Sequence, residues 1–174
     1  MKNILFVPGS LREASASRAT VRGLQSRLSD EFSSTVADVG TIPHYNADLT
    51  DVPEVAAWMA QVESADAVIF VTPEYNYSVP GVLKNAIDWA SRPAFESVFK
   101  GKPCFVISVS GGPLGGVRAQ AHLKSILGGL LANTFVSKEV IVPMANAKVE
   151  DGVMSDETVL DFAMANLTDF FGTL

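Results

Sequence analysis

Cysteine occurs once in the chain, at Cys104, and histidine twice, at His44 and His122. A single thiol excludes an intrachain disulfide framework. Within Pro103-Cys104-Phe105-Val106-Ile107 it reads as a small buried residue of a strand rather than a redox thiol. The two histidines have no cysteine or paired-carboxylate company, so no metal site is expected. Nor is there a Walker A motif, which argues against an NTPase. No stretch approaches membrane-spanning length, and the short apolar run Ile4–Val7 is broken by Pro8 and Gly9, unlike the core of a secretory signal. A cytoplasmic location and no membrane partner are therefore expected. Basic runs are missing too, and the net charge of −6 argues against nucleic acid as a partner. Without a repeat, low-complexity tract or linker, residues 1–174 are expected to form one domain.

What the chain does have is a regular alternation of short apolar runs and helical patterns. Asn3 to Val7, Ser34 to Val39, Asp66 to Thr72, Cys104 to Val109 and Phe135 to Val142 read as strands. Helices are expected from about Ser17, from Pro53, over Gly81 to Ser91, from Val117 to about Leu131, and from Ser155. Asp156 and Glu157 suit the first turn of the last one. Such an alternation implies α/β architecture, a parallel sheet with helices on both faces.

Three connections have unusual composition. Pro8 to Ser17 holds Ser10, Arg12, Ser15 and Ser17 just before a helix, where free N–H groups and the dipole suit a phosphate. A capping cluster on a solvated loop would look the same. Pro73-Glu74-Tyr75-Asn76-Tyr77-Ser78-Val79-Pro80 ends the most apolar strand with two tyrosines, a carboxylate and an amide between two prolines. Pro80 stands where a first helical turn begins. Ser110-Gly111-Gly112-Pro113-Leu114-Gly115-Gly116 lets backbone approach a ligand closely, but it lacks the spacing of the Gly-x-Gly-x-x-Gly fingerprint.

Pro73-Glu74-Tyr75-Asn76-Tyr77-Ser78-Val79-Pro80-Gly81, together with Gly9-Ser10-Leu11-Arg12 and Ser15-Ala16-Ser17-Arg18, closely resembles the NAD(P)H-dependent FMN reductase family. The branch it is most similar to is that of the quinone, azo-dye and chromate reductases. The resemblance spans nearly the whole chain and is weakest after about Val142. It implies a flavodoxin-like three-layer sandwich, with a five-stranded parallel sheet in the order 2-1-3-4-5. In that order the loops after strands 1, 3 and 4 crowd one edge, and these are the three unusual loops.

The resemblance further implies FMN as cofactor and NADPH or NADH as co-substrate. On this reading Ser10, Arg12, Ser15 and Ser17 hold the FMN phosphate. Pro73, Glu74, Tyr75, Asn76 and Tyr77 contact the flavin, mostly through backbone, and Ser110 and Gly111 lie by its pyrimidine and ribityl side. The family usually has Asn or Arg about where Ser17 and Arg18 stand here. Hydride would pass from NAD(P)H through FMN N5 to a flavin, quinone, azo compound or similar small acceptor, with no side chain as essential acid or base. Glu74 could alternatively be a structural carboxylate bonded to loop amides. Arg118 could steer nucleotide phosphates or be a solvated first-turn residue. Family members form dimers and some tetramers; Trp89, Phe95 and Phe99 are candidates for such a contact, with Trp89 equally open to a place in the core.

A flavodoxin-like FMN-binding electron carrier, without NAD(P)H oxidation of its own, is the alternative in another class. Such carriers have a Thr-rich phosphate loop and stronger acidity, and this chain has neither. A response-regulator-like switch would need acidic residues at the ends of strands 1 and 3, where Pro8-Gly9 and Thr72-Pro73 stand.

Overall fold

In the computed structural model, which describes residues 1–174, the three most apolar runs form the centre of a sheet. Residues 4–7 of β1 (Lys2–Pro8), 67–72 of β3 (Ala67–Pro73) and 104–109 of β4 (Pro103–Val109) are buried on both faces. The pleat sends alternate residues to opposite sides. Leu5, Val7, Val68, Phe70, Cys104 and Val106 join one apolar cluster, beneath α2 (Pro53–Ser64), α3 (Gly81–Ala90) and α4 (Val117–Gly129). Ile4, Phe6, Ile69, Val71, Phe105 and Ile107 join a second, beneath α1 (Ala16–Gln25) and α5 (Glu157–Phe171). Burying a side chain such as Phe70 or Phe105 contributes roughly 2–3 kcal/mol, so the two clusters hold the three layers together.

All strands of the sheet are parallel, in the order β2-β1-β3-β4-β5, with β2 at Phe32–Val36 and β5 at Asn133–Thr134. The register sets Pro8 beside Val71 and Pro73 beside Val109, so the ends of β1, β3 and β4 lie together at one edge. This is the flavodoxin-like order, and no helix is long and apolar enough to cross a membrane.

Four details depart from the sequence reading. Of the expected strand over Phe135–Val142 only β6 (Val140–Val142) forms; β5 lies just before that range, and both pair with β4. Between them Phe135 turns inward onto Phe105 and Phe170, while Val136 is fully exposed, so the segment leaves the ladder. The second strand starts earlier than expected and ends at Val36. Beyond it Asp38 accepts a hydrogen bond from Gly40 N (3.0 Å) and opens a 3-10 turn at Val39–Thr41. Pro80 sits one residue before α3, in extended conformation, rather than inside its first turn. Trp89 donates to the Pro43 carbonyl (2.8 Å) and Phe99 is fully buried against Trp58 and Phe70, so both belong to the core; Phe95 alone of the three is exposed.

An unanticipated hairpin, β7 (Val149–Glu150) with β8 (Val153–Met154), packs on α1. Arg22 Nε donates to the Gly152 carbonyl (2.7 Å), fixing the hairpin to the helix. Asp156 caps α5 by accepting from Val159 N (3.0 Å) and pairs with Lys148, whose ammonium holds the carboxyl below its ordinary range. Burial pushes the Cys104 thiol up to about 12, so almost none of it is thiolate at neutral pH and it is chemically inert in the folded chain.

Candidate functional site

The amide of Gly9 donates to the Val71 carbonyl (2.9 Å), so the chain leaving β1 runs alongside the end of β3 before turning into α1. Ser15 is the cap of that helix, its Oγ accepting from Arg18 N (3.2 Å). Ser17 Oγ lies 3.2 Å from Ser15 Oγ, and both residues are buried. The amides of Ala16 and Ser17 make no hydrogen bond within the protein, which leaves an anion-binding helix end with two hydroxyls beside it. Of Arg12, Arg18 and Arg118, only Arg12 is unpaired. Arg18 is spent on the Ser10 carbonyl (3.3 Å) and Glu13 (3.9 Å), holding the loop in shape.

The loop after β3 is tied down through Glu74, Tyr75 and Ser78. Tyr75 and Ser78 exchange backbone hydrogen bonds (3.0 and 3.1 Å) around Asn76 and Tyr77, both at positive φ (48° and 68°). Two left-handed residues make this a type I′ turn, a conformation that asparagine tolerates and tyrosine adopts only at a cost. Tyr75 Oη contacts Ser10 Oγ (3.0 Å), joining the turn to the first loop. On the other side Ser78 Oγ meets His122 Nδ1 (3.0 Å).

Glu74 is the main anchor. Its carboxylate accepts from the amides of Arg118 (3.0 Å) and Ala119 (3.3 Å) at the start of α4, and pairs with the Arg118 guanidinium (3.1 Å). Gly116, which precedes α4, has no side chain with which to cap that helix, so Glu74, 44 positions before Arg118, does so. Glu74 is thus the structural carboxylate that the sequence left open, with the bonded amides in a helix rather than in its own loop. Arg118 also lies over the Tyr77 ring, 4.6 Å from its centre, so its guanidinium is paired and stacked while its side chain stays 42% exposed. Glu74→Ala removes the acceptor of two helix amides and is expected to cost about 2 kcal/mol of stability. Urea unfolding measures this, and a loss below about 0.5 kcal/mol would show that water replaces the carboxylate without penalty.

Nine of the residues singled out in the sequence line one cavity of about 140 Å³: Ser10, Arg12, Ser15, Ser17, Pro73, Glu74, Tyr75, Ser110 and Gly111. Asn76 and Tyr77 do not line it; they form the tip of the turn beside it, with Tyr77 70% exposed. Ala16, Val109 and Asn146 also line the cavity and went unread. Asn146 follows the last strand of the sheet, and its position beyond the carboxyl end of that strand was the one signal available. A larger cavity, about 420 Å³, lies between the end of α1, the start of β2 and the end of α5. It is at the amino edge of the sheet, and its Arg27 is neutralised by Glu157 and Asp161, so it has none of the features of the loop cluster.

Comparison with known proteins identifies the family. A family model described as NADPH-dependent FMN reductase matches residues 2–147. The chain belongs to that family. It is 46% identical over 125 residues to a 2-hydroxy-1,4-benzoquinone reductase of a Burkholderia species, covering 71% of this chain and 68% of the relative. With an NAD(P)H-dependent FMN reductase of Pseudomonas aeruginosa the identity is 39% over 168 residues, covering 94% and 90%. Among solved structures, the flavoenzyme NAD(P)H:(acceptor) oxidoreductase FerB from Paracoccus denitrificans superposes with a TM-score of 0.87 at 35% identity, covering 98% of this chain and 95% of that one. The reductase is thus an FMN-dependent, NAD(P)H-linked oxidoreductase with a small-molecule acceptor.

The residues fit the cofactor. FMN carries a phosphate dianion, and the enclosed end of the cleft offers two unpaired helix amides, two buried hydroxyls and the unpaired Arg12. The backbone amides of Glu74, Asn76 and Tyr77 also lack partners in the protein, leaving donors on the rigid turn.

Proposed function

We propose that this cleft is the FMN site and that the reductase transfers two electrons from NAD(P)H to a quinone or a related flat acceptor. The observation that carries the reading is the convergence of the α1 amides, Ser15 and Ser17 with Glu74 and Tyr75 of the locked turn in one cleft at the carboxyl ends of β1, β3 and β4. FMN, when bound, supplies hydride acceptance and two-electron donation. The chain supplies position. Ser10, Arg12, Ser15 and Ser17 bind the phosphate; Pro73, Glu74, Tyr75, Asn76 and Tyr77 offer backbone to the flavin ring; Ser110 and Gly111 flank its pyrimidine and ribityl side.

No side chain is assigned as an essential acid or base, because none of those lining the cleft needs to move a proton for hydride transfer. Donor and acceptor use one open side in turn, which predicts ping-pong kinetics. A single domain over 1–174, a homodimer or homotetramer, and a cytoplasmic location complete the proposal. The inert, unpaired Cys104 supports that location, since nothing in the chain depends on an oxidising compartment.

The test is anaerobic. The purified chain is mixed with FMN, its absorbance recorded, and NADPH or NADH added. Bleaching of the oxidised-flavin band followed by recovery on adding a benzoquinone is the expected result. Binding without bleaching would show an electron carrier instead, and no binding would overturn the site.

A further inference from the structure

Gly111 and Asn146 meet across the cleft. A methyl group placed on Gly111 would lie 2.7 Å from Asn146 Nδ2 and 3.4 Å from its Cγ, so the carboxamide occupies the space that a side chain at 111 would need. Asn146 sits in a 3-10 turn (Ala145–Lys148) entered through Met144 in the left-handed conformation, φ 52°. Two backbone hydrogen bonds pin this turn onto the third loop, from Met144 N to the Gly112 carbonyl (3.1 Å) and from Ala145 N to the Ser110 carbonyl (2.8 Å). The carboxamide is therefore placed by backbone, not by its own contacts. It lines the cleft and makes no hydrogen bond to the protein.

Asn146 is exposed at the cleft wall, and a carboxamide, both donor and acceptor, that lines a binding cleft with its polar atoms free is suited to a ligand. The pyrimidine edge of a flavin, with its alternating carbonyls and N–H, is the matching surface. We propose that Asn146 is a cofactor-binding residue that hydrogen-bonds the polar pyrimidine edge of FMN, and that position 111 is glycine to make room for it. This changes the role of Gly111, whose missing side chain admits another residue of the chain rather than the flavin itself. The inference rests on the FMN reading of the same cleft.

FMN affinity, measured by quenching of flavin fluorescence without any turnover, separates the possibilities in wild type, Asn146→Ala, Gly111→Ala and the double variant. Asn146→Ala is expected to raise the Kd about tenfold, the worth of one good hydrogen bond. Gly111→Ala displaces the carboxamide and gives a similar loss, and the double variant is no worse than either single one. Asn146→Asp keeps the shape but loses the donor, and is expected to bind more weakly than wild type as well. An Asn146→Ala or Asn146→Asp chain within about twofold of wild type would overturn the proposal. So would losses that multiply in the double variant, because Gly111 would then face the flavin itself. Either result leaves the FMN site standing, whereas a wild-type chain that does not quench FMN would remove the flavin reading and this inference with it.

Discussion

Ser17→Asp leaves a folded reductase that no longer binds FMN. The substituted position lies in the first turn of α1, where a carboxylate is favoured by the dipole and by the free amides of Ala16 and Ser17. These donors offset the cost of desolvating a carboxylate at a position only 1% exposed. The new carboxylate, however, takes the place intended for the phosphate. It repels the dianion and removes the charge-assisted hydrogen bonds from the helix amides, each worth roughly 1.5–3 kcal/mol. Two such losses plus the repulsion predict at least ~10³-fold weaker FMN binding. Riboflavin, which has no phosphate, serves as the control and should lose far less. Equal losses for the two flavins would place the phosphate elsewhere. An unchanged FMN affinity would show that the serine cluster is only a helix cap.

Gly115→Ala is the substitution expected to cost most in stability. Gly115 has φ +61°, a conformation that costs an L residue about 1–2 kcal/mol. An added Cβ would also stand 2.3 Å from Ile141 Cγ2, 3.0 Å from Pro143 N and 3.1 Å from Val142 C. Two of those atoms are backbone of β6 and the residue after it, so relief means shifting the strand that continues the sheet beside β4. Overpacking of this kind adds about 1–3 kcal/mol, for a total near ~3 kcal/mol. Gly112→Ala, at negative φ with only Ser110 Oγ (3.6 Å) nearby, should stay within about 0.5 kcal/mol of wild type. Urea midpoints at constant slope read both. Similar values for the two variants would mean that β6 gives way freely and that the third loop is not fixed by it.

Much of the architecture is visible in the runs themselves. Ala67–Val71 and Cys104–Ile107 are apolar at every position and read as strands buried on both faces; the proline, serine and glycine clusters after β1, β3 and β4 announce loops with a task. The motif at Pro73–Gly81 carries the family, and nine of the eleven candidate site residues, three of them in that motif, line one cavity. Periodicity failed where a segment's fate was settled by distant neighbours. Phe135–Glu139 has the composition of a strand, yet Phe135 finds Phe105 and Phe170 while Val136 turns to solvent. Trp89, a plausible contact between subunits, is claimed by the Pro43 carbonyl and the edge of Tyr45.

The sequence by itself determined the alternation of strands and helices, the two-faced burial of the central strands, and the identity of the loops that form the site, because each of these follows from local patterns of apolar, small and polar residues. Tertiary structure alone decided what the polar groups in those loops do. Glu74 caps a helix 44 residues away, Tyr75 reaches back to Ser10, and Asn146 arrives over Gly111 from beyond the last strand of the sheet. Hydrogen bonds between such distant positions leave no local trace, since donor and acceptor are brought together only when the parallel register aligns the strand ends.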